Sequence, residues 1–193
     1  MAAIVARFGP LDEEQRRRGR PDDAYAALVR TIVGQQLSTK AARSIYARLV
    51  ALFDEQPPNP AHVLAADEDA LRAAGLSRPK ISYLKDLARR VVDEELDLEA
   101  LHDLPDEEVI ARVTAVKGLG RWSADVFLMF HLARPDVLPV GDLGIRRAVE
   151  KAYGLPDLPD EKLLRKIAEP WGPERTLASL YLWMSLDAVP ADL

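Results

Sequence analysis

Apolar residues in this chain recur at helical spacing. Leu28, Ile32 and Val33 share one side of a segment that begins near Ala24. Ile45, Leu49 and Leu52 form the next stripe, and Ile81, Leu84, Leu87, Ala88 and Val91 a third. Val109, Ile110 and Val113 make a fourth, and no stretch shows the period-2 alternation of a half-buried strand. Pro and Gly interrupt these stripes at helix-length intervals. The pattern predicts a helix from about Ala24, a pause near Gly34-Gln35-Gln36-Leu37, and a helix from Thr39 to about Phe53 with Ser38 as its N-cap. Pro57-Pro58-Asn59-Pro60 reads as a stop and a loop, followed by a short turn at His62–Ala65. Asp67 caps a helix over Glu68–Ala74 that Gly75 ends, and Ser77-Arg78-Pro79 opens the next. Further helices are expected at Leu98–His102, Asp106–Ala115, Arg121–Leu132, from Asp142 to about Tyr153, at Asp160–Ala168 and at Pro173–Leu186. The expected fold class is all-α, with a boundary between two helical lobes near Pro135–Pro139.

A length of 193 residues, 48% of them hydrophobic and 30% charged, suits a globular chain with a real core. There is no cysteine, which removes disulfides, thiolate-held zinc and cysteine-held iron–sulfur clusters. The opening MAAIVARFGP lacks the apolar stretch of a signal peptide, and no apolar run approaches membrane-spanning length. A cytoplasmic protein without membrane partners is the expectation, nucleoid-associated if bacterial. The net charge of −5 counts against a phosphate-rich partner. The distribution softens that objection. Between Ala24 and Phe53 there are Arg30, Lys40, Arg43 and Arg48 and no acid; between Ala70 and Lys85 there are Arg72, Arg78, Lys80 and Lys85 and again no acid. From Val109 to Arg134 the only acid is Asp125. Segregation of this kind can give one basic face on an acidic molecule.

Val116-Lys117-Gly118-Leu119-Gly120 lies between two expected helices and has the spacing of a tight reversal. Glycine there permits positive φ or the close approach of another backbone. The amides at the start of the following helix lack intrahelical partners and carry the positive end of its dipole, a combination that suits a phosphate. Lys117 and Arg121 add full charges beside them. An unliganded turn between helices is the plainer alternative.

VKGLGRWSADVFLM followed by VLPVGD resembles the helix-hairpin-helix, Gly/Pro-rich loop and Asp signature of a DNA glycosylase superfamily, with the 3-methyladenine DNA glycosylase II (AlkA-like) group most similar. LVRTIVGQQLSTKAARSIYARL, GLSRPKISYLKDLARRV and WGPERTLASLYLW extend the resemblance from about Ala24 to Trp183. It implies two helical lobes with a cleft between them: residues 37–136 carrying the hairpin, and residues 1–36 plus 137–193 carrying a catalytic acid. It also implies a double-stranded DNA partner containing alkylated bases, a monomer, and no cofactor. No side-chain metal site is expected, although relatives often hold a monovalent cation on hairpin carbonyls. Several relatives place a Schiff-base Lys where this chain has Trp122, which implies base removal without strand cleavage. The β-rich N-terminal domain of a well-known bacterial member is expected to be absent, and Lys117 replaces a frequent Pro.

The resemblance assigns catalysis to Asp142: a fixed carboxylate stabilises the positive charge that builds on the sugar as an N-glycosidic bond breaks. A bare N-cap is the alternative role, and Asp125 is the rival acid. Gly144 either lets a DNA backbone approach or simply weakens its helix. Aromatic faces attract a cationic base, so Trp122 and Trp183, then Tyr25, are the pocket candidates against a plain core role. By alignment Gln36, or Leu37, fills the stack left by a flipped nucleotide, and Arg78 and Lys80 are candidates for a further phosphate contact. The competing functions are a glycosylase for another damaged base, a non-catalytic helix-hairpin-helix DNA-binding protein, and a helical protein-interaction domain.

Overall fold

The computed structural model describes residues 1–11 and 23–186. Among them the regular elements are α-helices with short 3₁₀ turns: α1 (Ala2–Phe8), α2 (Ala24–Gly34), α3 (Thr39–Leu52), α4 (Pro60–Ala65), α5 (Glu68–Ala73) and α6 (Arg78–Val92). After a 3₁₀ turn at Ala100–Asp103 come α7 (Asp106–Thr114), α8 (Arg121–Phe130), α9 (Leu143–Tyr153) and α10 (Glu161–Ala168). A 3₁₀ turn at Glu169–Trp171 precedes α11 (Arg175–Ser185). No helix is long and apolar enough to cross a membrane among the described residues.

Most helix starts are set by one short polar side chain. Asp23 accepts from the Tyr25 and Ala26 amides, Ser38 from Ala41, Ser77 from Lys80, and Asp160 from Leu163. Two helices start where none was expected: α1 at Ala2, and α4 at Pro60. Asn59 accepts from the His62 amide and Pro60 takes the first helical position, so the proline-rich stretch begins α4 instead of only ending α3.

The chain divides into two compact units. In residues 23–127, α6 is the hub: α2, α4 and α5 pack against it, and α3 packs on α2. Ile81, Leu84, Leu87 and Ala88 form its buried stripe, facing a core that includes Leu28, Ile32, Leu49, Val63 and Leu71. Leu52, expected in a buried stripe, is exposed. In residues 1–11 and 128–186, α11 packs on α1 and α9. There the Tyr181 hydroxyl donates to the Gly9 carbonyl at 2.7 Å and accepts from the Leu11 amide at 3.3 Å. The division falls within α8 and before α2, whereas the expected lobes broke at 36/37 and 136/137. The reason is burial: Leu28, Val29, Ile32 and Val33 of α2 are spent against α3 and α6, which ties α2 to the hairpin's unit.

Candidate active site

The hairpin joins α7 to α8. Its first reversal is closed by the Leu119 amide donating to the Val116 carbonyl at 3.1 Å, with Leu119 buried below. The two glycines differ. Gly118 has φ +82°, and a Cβ there would lie 2.2 Å from the Tyr83 ring, so both backbone and packing demand glycine. Gly120 has no such φ, and a Cβ there would meet nothing within 4 Å. The folded chain alone does not explain that second glycine.

Helix α6 shapes this turn from outside it. Asp86 accepts from the Lys117 amide at 2.9 Å and from Arg90 Nε at 3.1 Å. Partial burial pushes the Asp86 carboxyl up, but the Lys117 amide and the nearby arginines outweigh it and hold the group below its usual range. Ser82 Oγ lies 3.0 Å from Lys117 Nζ. From the other side Gln35 Nε2 donates to the Gly118 carbonyl at 2.9 Å. Sequence reading missed Asp86, Tyr83 and Gln35. Each acts at least 31 residues away in the chain, and only the i, i+3, i+6 recurrence of Lys80, Tyr83 and Asp86 along α6 hints at a shared face.

Besides Lys117 on Ser82, two more of the expected phosphate-binding cations have protein partners. Arg121 Nε lies 3.0 Å from Asp125 Oδ1 and its NH2 3.3 Å from Glu107, with the Asp125 side chain 3% and the Arg121 side chain 51% exposed. Partial burial lowers the Arg121 pKa, and the bonds and charges of Asp125 and Glu107 more than reverse that. Asp125, the rival acid, is therefore buried in an ion pair. Lys80 Nζ lies 2.6 Å from the Val33 carbonyl and 2.7 Å from the Gln35 carbonyl. Arg78, at the head of α6, is exposed, as are Lys117 and the hairpin glycines. Gln36 and Leu37 are also exposed, and Gln36 has φ +60°. Trp122 is half-buried at the second position of α8. Tyr25 is buried, its hydroxyl has no hydrogen-bond partner, and burial followed by the charge of Asp23 pushes its pKa up.

In the other unit Asp142 caps α9. Its Oδ1 accepts from the Ile145 amide at 2.7 Å and from the Trp183 indole Nε1 at 2.9 Å, and the residue is half-buried. A Cβ at Gly144 would lie 3.0 Å from that oxygen and 3.3 Å from Trp183 Cδ1, so the missing side chain makes room for this bond. Trp183 is 1% exposed and stacks on Phe130 at a centroid distance of 6.0 Å. Within this unit it is an enclosed ring with its polar edge on the carboxylate. The cap bond that starts the helix and the indole bond together immobilise the acid.

Residues 29–173 match the model of the HhH-GPD superfamily base excision DNA repair protein. The chain belongs to that superfamily. It is 36% identical over 163 residues to DNA-3-methyladenine glycosylase 1 of Schizosaccharomyces pombe, covering 83% of this chain and 72% of that protein. It is 40% identical over 138 residues to the DNA-3-methyladenine glycosylase of Saccharomyces cerevisiae, covering 67% of this chain and 47% of that protein. Among solved structures, the S. pombe 3-methyladenine DNA glycosylase in complex with abasic DNA superimposes with a TM-score of 0.87 at 33% identity, over 96% of this chain and 90% of that one. A DNA-3-methyladenine glycosidase from Bacillus halodurans gives 0.77 at 37% identity, over 94% and 86%. Family membership accounts for the all-helical architecture.

Proposed function

We propose that this chain is a monofunctional DNA glycosylase that hydrolyses the N-glycosidic bond of alkylated bases of the 3-methyladenine type, acting as a monomer on double-stranded DNA in base excision repair. The observation that carries the reading is the Asp142 carboxylate, fixed through one oxygen by the Ile145 amide and the Trp183 indole at the head of α9. A carboxylate held in this way needs no reorganisation as positive charge develops on the deoxyribose, and this is the condition under which electrostatic stabilisation is strongest. The glycosidic electron pair leaves with the base, which neutralises a cationic methylated purine. Water supplies hydroxide to C1′ and releases a proton. No cofactor takes part. Trp122, at the position of the relatives' nucleophilic Lys, supports base release without a strand nick.

Gly120 supports the grip on DNA. A glycine whose Cβ would stand in open space leaves the head of α8 accessible to a phosphate; Lys117 adds exposed charge beside it in the chain, and Arg78 adds exposed charge at the head of α6. Gly118 shapes the same loop. Arg121 is assigned to the fold, because Asp125 and Glu107 already compensate it. Trp122, half-buried, is the aromatic ring best suited to a cationic base, with Tyr25 second in preference; Trp183 serves the acid. Gln36, with Leu37, fills the stack.

The test is product analysis on a panel of duplexes carrying 3-methyladenine, 7-methylguanine, hypoxanthine or 8-oxoguanine. The reading predicts free methylated base and an unbroken strand with an alkali-labile abasic site. Release of only the oxidised base, or strand cleavage without alkali, would contradict it.

A further inference from the structure

The loop after α2 has an unusual construction. Gln36 is a non-glycine residue at φ +60°, a conformation that costs on the order of 1 kcal/mol and persists only where its surroundings impose it. The Leu37 amide closes the turn on the Gly34 carbonyl at 3.0 Å. Lys80 supplies the rest: its ammonium sits on the Val33 and Gln35 carbonyls at 2.6 and 2.7 Å, at the C-terminal end of α2 where orphan carbonyls and the helix dipole favour a cation. Gln35 then reaches from this loop to the Gly118 carbonyl at 2.9 Å. The hairpin is fixed to the same helix that carries Lys80, through Ser82, Tyr83 and Asp86. One helix therefore holds both loops, and Gln35 links them.

We infer that Lys80, with Gln35, is a positioning residue that sets the Gln36-Leu37 loop against the hairpin for insertion into the DNA stack, and that it is not a phosphate ligand. The inference rests on the proposed role of Gln36 and Leu37 as the residues that fill the stack. A phosphate contact would neutralise DNA charge and make a cation's loss visible in salt dependence. A cation already engaged by main-chain carbonyls acts through shape instead. Misplacing a group by about 1 Å can cost up to about a hundredfold in rate, so the effect belongs in nucleotide opening.

The experiment compares the full chain with Lys80→Met, Lys80→Arg and Gln35→Leu. Amide hydrogen exchange is read at residues 34–38 without DNA. Nucleotide opening is read from 2-aminopurine fluorescence beside a methylated base. Affinity for undamaged duplex is measured against salt. Lys80→Met is expected to raise exchange at Gln36 and Leu37 about tenfold or more and to slow opening about tenfold, with the salt slope unchanged. Lys80→Arg, which can still donate to two carbonyls, restores most of both. Gln35→Leu, a change at a half-buried residue, moves both in the same direction by less and carries the test if Lys80→Met does not fold. Parental exchange or parental opening in Lys80→Met overturns the inference. So does a salt slope that falls by about one, which is the signature of a lost phosphate contact. A parent that opens the duplex but releases no base refutes the proposed reaction while leaving the Lys80 comparison readable in fluorescence; a parent that opens nothing overturns both.

Discussion

The hairpin and the Asp142 turn are held in place in opposite ways. The hairpin's shape is imposed from elsewhere, by Asp86 on the Lys117 amide, Tyr83 against Gly118, and Gln35 on the Gly118 carbonyl. The Asp142 turn is shaped mainly by its own helix, through a cap bond to Ile145 three residues on, with a distant contribution from the Trp183 indole. The loop proposed to bind through its backbone depends on its neighbours; the side chain proposed as catalytic, at a helix start, is largely held by its own helix. The two glycines of the hairpin differ within three residues: a Cβ at Gly118 would meet Tyr83, whereas one at Gly120 would meet nothing within 4 Å.

The largest expected effect on stability separates those glycines. Gly118→Ala would force a Cβ into Tyr83 at positive φ and should destabilise the protein by about 3 kcal/mol, measured by denaturant unfolding. Gly120→Ala should change unfolding by less than about 0.5 kcal/mol and yet weaken duplex binding, measured by titration at fixed salt. Equal effects of the two on stability would erase the distinction. Next comes Trp183→Phe, which keeps an aromatic ring against Phe130 but deletes the indole donor. The loss should be about 1–2 kcal/mol in stability and about tenfold in single-turnover base release. A loss of stability alone would make Trp183 a core residue only.

The smallest effect is on pH dependence. Asp86 titrates below its usual range in the folded chain, so its contribution is complete above the ordinary carboxylate pKa, 3.8, and fades as pH falls through the lowered folded value. Acid unfolding of Asp86→Asn should therefore lack part of the parent's loss of stability below about pH 4, a difference of about 1 kcal/mol. Superimposable acid limbs would mean that Asp86 does not anchor the hairpin.

The helix order and the cap residues were legible in the sequence because both depend on neighbours within four positions: Ser38, Asp67, Ser77 and Asp142 all cap where their spacing indicates. Pro60 misleads because a proline that ends one helix also fits the first turn of the next, and only the Asn59 bond decides. The electrostatics were least legible. Lys80 and Arg121 look like free surface cations in a segment poor in acids, but the Val33 and Gln35 carbonyls, Asp125 and Glu107 meet them once the helices pack. The same packing, rather than any motif, encloses Trp183 and directs its N–H to Asp142.

The central claim is that the Asp142 carboxylate drives base release. Asp142→Asn keeps an oxygen that can accept from Ile145 and Trp183 while removing the charge, so fold and DNA affinity should persist. Single-turnover release of 3-methyladenine from methylated duplex, measured at saturating protein, is predicted to fall by about a hundredfold or more with the dissociation constant changed less than about threefold. Release at the parental rate would contradict the account.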